Sequence, residues 1–400
     1  MSFAEEISSV SCSLQPALVA CALLVMVCAS TLCFPFQTSG EAPEATEVEL
    51  FDQAQDLVSK GQFRDAAIIY EKIAQLNPRS FEALNNLGVV YSHARDYSKA
   101  AGAYERALRV RPGSFPVLMN LGIVYFKSGD FKRARKPLSQ AVALQPESFQ
   151  ALALLAVTEY SGKDFRDACG HLAKAVAAQP GNSTLEYMLA ESYLQTGQEQ
   201  KVVDRFQEIA ARSSASATDH MLVGTAYDGL GRTDQAIREF KAAAAISPNG
   251  LDVHFGLGYL YWKRHEDARA AVEFEREMEA AGWVAEAEAY LGDIDLRQKK
   301  RDAARAMLEQ AVNLNPRIRL AHLDFGILRM QNKEYREAAV ELQKAIELDP
   351  EKADGYERLA RVYAAQGKTK MEEAELARAA KTRPLRQDAL AQEAARIPPP

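Results

Sequence analysis

The sequence predicts an all-α fold, an α–α superhelix of ten 34-residue helix–turn–helix repeats closed by a capping helix. Three observations predict it: prolines on a comb of period 34, a column of residues that is always small, and a column that is always large and apolar. Pro78, Pro112, Pro146, Pro180, Pro248, Pro316, Pro350 and Pro384 occupy the comb, and Ser214 and Gly282 leave its two vacant teeth. Six of the other eight prolines lie in the terminal tails, so the period belongs to the body of the chain.

Placing each tooth at position thirty-two defines units 47–80, 81–114, 115–148, 149–182, 183–216, 217–250, 251–284, 285–318, 319–352 and 353–386. Position eight then reads Ala54, Gly88, Gly122, Ala156, Ala190, Gly224, Gly258, Gly292, Gly326 and Ala360. Position twenty is alanine in eight units. Position twenty-four reads Tyr70, Tyr104, Leu138, Leu172, Phe206, Phe240, Phe274, Leu308, Leu342 and Leu376. Small residues let the two helices of a unit cross closely, and the large residue is expected to fill the gap between neighbours. Proline is expected to end each second helix, because it lacks an N–H and disfavours helix just before it. Pro137, inside the second helix of unit three, is expected to kink or delay that helix. Residues 387–400 are read as a polar capping helix stopped by prolines. One unit cannot bury its apolar face alone, so the stack shares a core.

This pattern resembles the tetratricopeptide repeat, and the resemblance covers residues 47–386. It implies a scaffold that binds proteins, with the first helix of each unit lining a concave groove. No catalytic domain fits beside the repeats, so the chain is read as no enzyme, with no cofactor.

The amino terminus is different in kind. No charged residue occurs from Ile7 to Gly40, and Ala17–Phe36 is a nearly continuous apolar run. A cleaved signal peptide would use Ala17–Met26 as its core, with Val27-Cys28-Ala29 before the cut. An uncleaved membrane anchor fits the length. A third reading is a buried or misassigned start. Residues 1–40 are therefore expected to be a signal or an anchor, followed by a polar linker at 41–46. The protein would be exported, periplasmic or secreted, or tethered to a membrane through that segment alone.

Composition excludes other classes. The net charge of −6, without a run of like charges, gives no footprint for nucleic acid. Four of the five cysteines lie in the first 33 residues, so Cys169 stands alone in the body and no disulfide framework or zinc site follows. His265-Glu266-Asp267-Ala268-Arg269 begins like a zinc-protease helix but lacks the second histidine. Gly256-Leu257-Gly258 lacks the third glycine of a dinucleotide loop. His220, His254 and His322 share position four, read as packing between helices because stacked repeats hold such rings too far apart for one metal.

Carried over by position from the resemblance, the groove of units three to seven holds Phe126, Lys127, Tyr160, Tyr187, Phe255, Tyr259, Trp262 and Lys263. Aromatic side chains with a few polar handles suit peptide binding, though the same residues could pack against adjacent units. Asn86 and Asn120 at position six match two rungs of an asparagine ladder, which in such repeats hydrogen-bonds an extended peptide. No unit pairs Lys at five with Asn at nine, so a clamp for acidic tails is not expected. The expected function is a non-catalytic scaffold for a protein or peptide partner. The alternatives are an accessory subunit presenting substrate to an envelope enzyme, or a cytosolic adaptor.

Overall fold

The computed structural model describes residues 45–212, 215–250, 252–280 and 283–394, with side chains from residue 47 to residue 382. The segment read as signal or anchor lies outside the described residues, as does the terminal proline run. Among the described residues there are twenty helices and no strand, two helices to each 34-residue unit. No described helix is long and apolar enough to cross a membrane. The chain divides into two compact units, Met1–Glu208 and Ile209–Pro400.

In the first unit the pairs are α1 (Ala45–Ser59) with α2 (Phe63–Leu76), α3 (Phe81–His93) with α4 (Tyr97–Val110), and α5 (Phe115–Lys127) with α6 (Phe131–Leu144). α7 (Phe149–Ser161) with α8 (Phe165–Ala178) and α9 (Ser183–Gln195) follow, and α10 (Glu199–Arg212) crosses the boundary. The second unit pairs α11 (Ala217–Gly229) with α12 (Thr233–Ile246), α13 (Val253–Lys263) with α14 (Asp267–Glu279), and α15 (Val284–Arg297) with α16 (Arg301–Leu314). It ends with α17 (Arg319–Gln331) against α18 (Tyr335–Leu348) and α19 (Ala353–Ala365) against α20 (Thr369–Ala394). Within each unit a helix packs on its sequence neighbours, and successive first helices also touch, as α15 does α17. Within each unit the first helices thus form a layer of their own.

The helix ends follow from local chemistry. Ser80, Ser148 and Asn182 at position thirty-four accept hydrogen bonds from the N–H groups of Ala83, Ala151 and Leu185, capping the next helix. Ser216 and Asp219 cap α11 reciprocally. Where a comb proline follows, the second helix stops two residues short of it, and position thirty-one opens to ψ of 77 to 95°. That is the extended backbone a residue before proline prefers. Pro384 is the exception, because α20 runs on through it to Ala394 as one helix. Pro137 does not delay α6, which starts at Phe131, position seventeen, as α4 starts at Tyr97.

A further column, position fifteen, closes the turn between the helices of every unit. All ten residues there have φ between 57 and 77°: Gly61, Gly129, Gly197, Gly231 and Gly367, but also Arg95, Lys163, His265, Lys299 and Lys333. A side chain in this left-handed conformation costs about 1 kcal/mol, which glycine avoids. Lys299→Gly and Lys333→Gly, both at exposed positions, should therefore each raise stability by roughly 0.5–1 kcal/mol. The urea midpoint of the double variant measures this; an unchanged or lower midpoint would contradict it.

Candidate functional site

The structure places the ten sequence-predicted groove residues in two sets, six in the first unit and four in the second. In the first unit, Asn86 is 1% exposed; its amide reaches the Tyr70 hydroxyl at 3.5 Å and accepts from Asn85 at 3.2 Å. Asn120 is buried too, and its Nδ2 has no hydrogen-bond partner. Both asparagines are inside the stack. Phe126 is half-buried and meets Phe131 edge-on, while Lys127 is exposed. Tyr160 and Tyr187 converge: each donates its hydroxyl to the Glu191 carboxylate, from position twelve of one repeat and position five of the next. Burial pushes the Glu191 carboxyl and the Tyr160 phenol upward. Sequence reasoning did not single out Glu191, at position nine of its repeat.

In the second unit an aromatic cluster gathers around Tyr290. Its ring stacks on Phe274 at 5.1 Å and meets Trp262 edge-on at 4.9 Å, Phe255 at 5.7 Å and Tyr259 at 6.0 Å. Phe255 also stacks on Trp283 at 5.3 Å. Phe255 and Tyr259 are buried core, whereas Trp262 is half-buried and Lys263 exposed. The Trp262 indole donates to Asp293 at 2.6 Å, Arg297 lies over its ring, and Lys263 pairs with Asp228 at 2.7 Å. Of the four predicted residues, two therefore pack and two reach the surface. Sequence reasoning did not single out Tyr290 or Trp283: position six was read only for its asparagines, and position thirty-three was not considered.

The same region solves a backbone problem. Gly282 leaves repeat seven without its proline, and Glu277 stands at position twenty-seven, where most units carry Ala. The fully buried Glu277 carboxylate accepts from the N–H groups of Asp252, Phe255 and Trp283 at 3.2, 3.0 and 3.4 Å. One side chain thereby serves the starts of both α13 and α15. Asp252, with φ of 70°, accepts the Trp283 indole N–H.

Charge continues into the next repeats. Asp324, on α17, is buried and its Oδ2 has no hydrogen-bond partner. Burial, with the nearby Asp293 charge, holds its carboxyl well above the usual range, against the pull of Arg297, Arg319 and Arg358. Elsewhere the chemistry is quiet. Burial pushes the Cys169 thiol up, which disfavours the thiolate. His265 sits in the position-fifteen turn and not on a helix. Gly256 and Gly258 admit the rings of Phe240 and Phe274; a Cβ on Gly258 would lie 2.8 Å from the Phe274 ring.

Family models described as "Tetratricopeptide repeat" match residues 51–115, 223–286 and 291–341, and a second matches 92–157. One described as "TPR repeat" matches 326–367. The chain belongs to the tetratricopeptide repeat family. Members of this family are typically scaffolds for interactions between proteins. Among solved structures, it is similar to the APC/C hetero-tetramer Cut9–Hcn1, with 14% identity over 84% of this chain and 87% of that one, at a TM-score of 0.47. MamA shows 21% identity over 42% of this chain and 97% of its own, at 0.35. A tetratricopeptide repeat protein from Parabacteroides merdae shows 17% over 55% and 86%, at 0.34. No curated protein matches the sequence.

Two substitutions test the packing. Glu277→Ala would strand three backbone donors, at a cost of about 3 kcal/mol. Tyr259→Ala would open a cavity, at a cost of about 3–5 kcal/mol. Both losses should appear in urea unfolding followed by tryptophan fluorescence, and a loss below about 1 kcal/mol in either would contradict that residue's packing role.

Proposed function

We propose that this chain is a non-catalytic scaffold, exported or held at a membrane through residues 1–40, whose layer of first helices binds an extended peptide or a partner protein. The observation that carries the binding reading is Trp262. It is half-buried, its indole N–H is fixed by Asp293, its face lies against Arg297, and Lys263 stands next to it. A tryptophan held in one orientation at a surface loses little freedom when a partner covers it, and such residues dominate binding energies. On the first unit, a separate binding surface would be Phe126, Lys127 and Tyr187, whose side chains retain exposed surface. The export or tethering reading rests on the apolar run Ala17–Phe36.

Trp262→Ala should weaken partner binding at least tenfold while helical content stays intact. A photo-crosslinking residue at Lys263 should attach to the partner in cells, and one on the exposed Glu309 of α16 should not. Equal crosslinking at both, with binding unaffected by Trp262→Ala, would refute this site. Fractionation with amino-terminal sequencing checks the location: a full-length chain confined to the soluble cytosolic fraction would rule out export and tethering.

A further inference from the structure

Two carboxylates at position nine of their repeats are held alike but differ in what neutralises them. Glu191 stands on α9 and Asp293 on α15. Each accepts a hydrogen bond from the aromatic side chain at position twelve of the preceding repeat. The Tyr160 hydroxyl donates to Glu191, and the Trp262 indole N–H donates to Asp293 at 2.6 Å. Asp293 has its counter-ion inside the chain. Arg297, four residues on at position thirteen, pairs with it at 2.9 Å and lays its guanidinium over the Trp262 ring, 5.6 Å from the centroid. Position thirteen of the Glu191 repeat is Gln195, which carries no charge. Among the described residues no lysine, arginine or histidine pairs with Glu191; its side-chain partners are the Tyr160 and Tyr187 hydroxyls.

Three other sheltered acids on first helices do have cations. Asp228 pairs with Lys263 at 2.7 Å, Glu159 with Arg135 at 3.8 Å, and Glu186, also on α9, with Arg205 at 3.1 Å. Glu288 lacks one as Glu191 does, but it is buried in the stack, whereas Glu191 and Tyr187 both retain surface. A carboxylate accepts about four hydrogen bonds, so one held by two phenols has lone pairs to spare. The walls beside it are aromatic, since Phe126 and Tyr187 both pack half-buried against the core around Tyr160 and Val157. We propose that this site takes a basic side chain, arginine or lysine, from an extended segment of the partner, which supplies at Glu191 the counter-ion that Arg297 supplies at Asp293. The proposal rests on the first helices being the binding layer, and it gives the first-unit surface a chemical preference. The aliphatic stem of such a side chain lies along the half-exposed rings, and its charged end meets the carboxylate and the face of Tyr187. Desolvation is the largest influence on the Glu191 carboxyl and raises it, against the two phenol bonds. A cation in contact opposes that desolvation further, so the occupant relieves a strain that the empty site carries.

Pools of acetylated, amidated heptapeptides test this on the full chain. The central residue is fixed as arginine, lysine, norleucine or glutamate, and the other positions are drawn from uncharged residues. Fluorescence anisotropy at physiological salt reads the binding. The arginine and lysine pools should bind about fivefold or more tighter than the norleucine pool, with the glutamate pool weakest. Glu191→Gln keeps an acceptor for the phenols while removing the charge, and should abolish that preference. Gln195→Arg sets a cation four residues from Glu191, as Arg297 stands to Asp293, and should abolish it too. Glu186→Gln, at a carboxylate already paired with Arg205, should leave the preference intact, which separates a local site from attraction to the net charge of −6. If Glu191→Gln loses helical content, Gln195→Arg decides alone. A basic preference that survives in either variant, once it is shown to be folded, overturns the proposal. Equal binding of all four pools overturns it as well but leaves the binding layer standing, and failure of every pool to bind overturns both.

Discussion

In six of the repeats the side chain at position twenty-four lies against a glycine at position eight, and the rest of the fold is arranged around that approach. Tyr104 meets Gly88, Phe274 meets Gly258 and Leu342 meets Gly326, closely enough that a Cβ would lie 2.5 to 2.8 Å from the opposing side chain. The same large residue also reaches forward. Tyr70 bonds to Asn86, Phe240 fills the space over Gly256, and Phe274 stacks on Tyr290, each at position six of the following repeat. One side chain thus closes its own hairpin and seats the next, so within each unit the core of a repeat is completed by its neighbour. In the tenth repeat Leu376, at position twenty-four, stays 47% exposed.

That dual contact explains where the periodicity relaxes. In seven repeats proline at position thirty-two terminates the second helix by local sterics, without help from neighbours, whereas α20 runs on through Pro384. Repeat seven lacks the proline and uses long-range chemistry, a buried carboxylate that collects N–H groups from two turns. Such an acceptor satisfies the donors at a helix start as a cap would, but it depends on both repeats being in place. The aromatic cluster around Tyr290 grows on the same carboxylate-pinned frame, because Phe255 is both a Glu277 donor and a Trp283 stacking partner.

The fold was legible because the signals of this family are local and repeated: the comb, the small column and the large column each recur in phase. Position fifteen was equally periodic but hidden, since a left-handed turn accepts Lys, Arg or His at moderate cost and only half its residues are glycine. The site was much less legible. Columns tell which helix a residue occupies, yet Phe255 at position five is buried while Tyr187 at the same position retains surface. The difference lies in the neighbours, since Phe255 sits under Trp283, whereas Tyr187 leans on Glu191. A single-sequence pattern carries no information about a pairing such as that of Phe255 with Trp283, 28 residues apart.

Position six shows what this means for recognition. It lies over the preceding position twenty-four, so an amide there bonds within the stack before it can meet a ligand, as Asn86 does. Polar side chains at this column therefore set how repeats fit together: Asn86 on a tyrosine, Tyr290 on a phenylalanine, and Asp324 among three arginines. Surface for a partner remains at Tyr187 and in the last turn of two first helices, at positions twelve and thirteen, where Phe126, Lys127, Trp262 and Lys263 stand. Binding specificity would then be written by residues that the packing does not consume, and Trp262, anchored to Asp293 but still half open, combines orientation with free area. The inner columns decide which repeats stack, and the helix ends decide what the stack can hold.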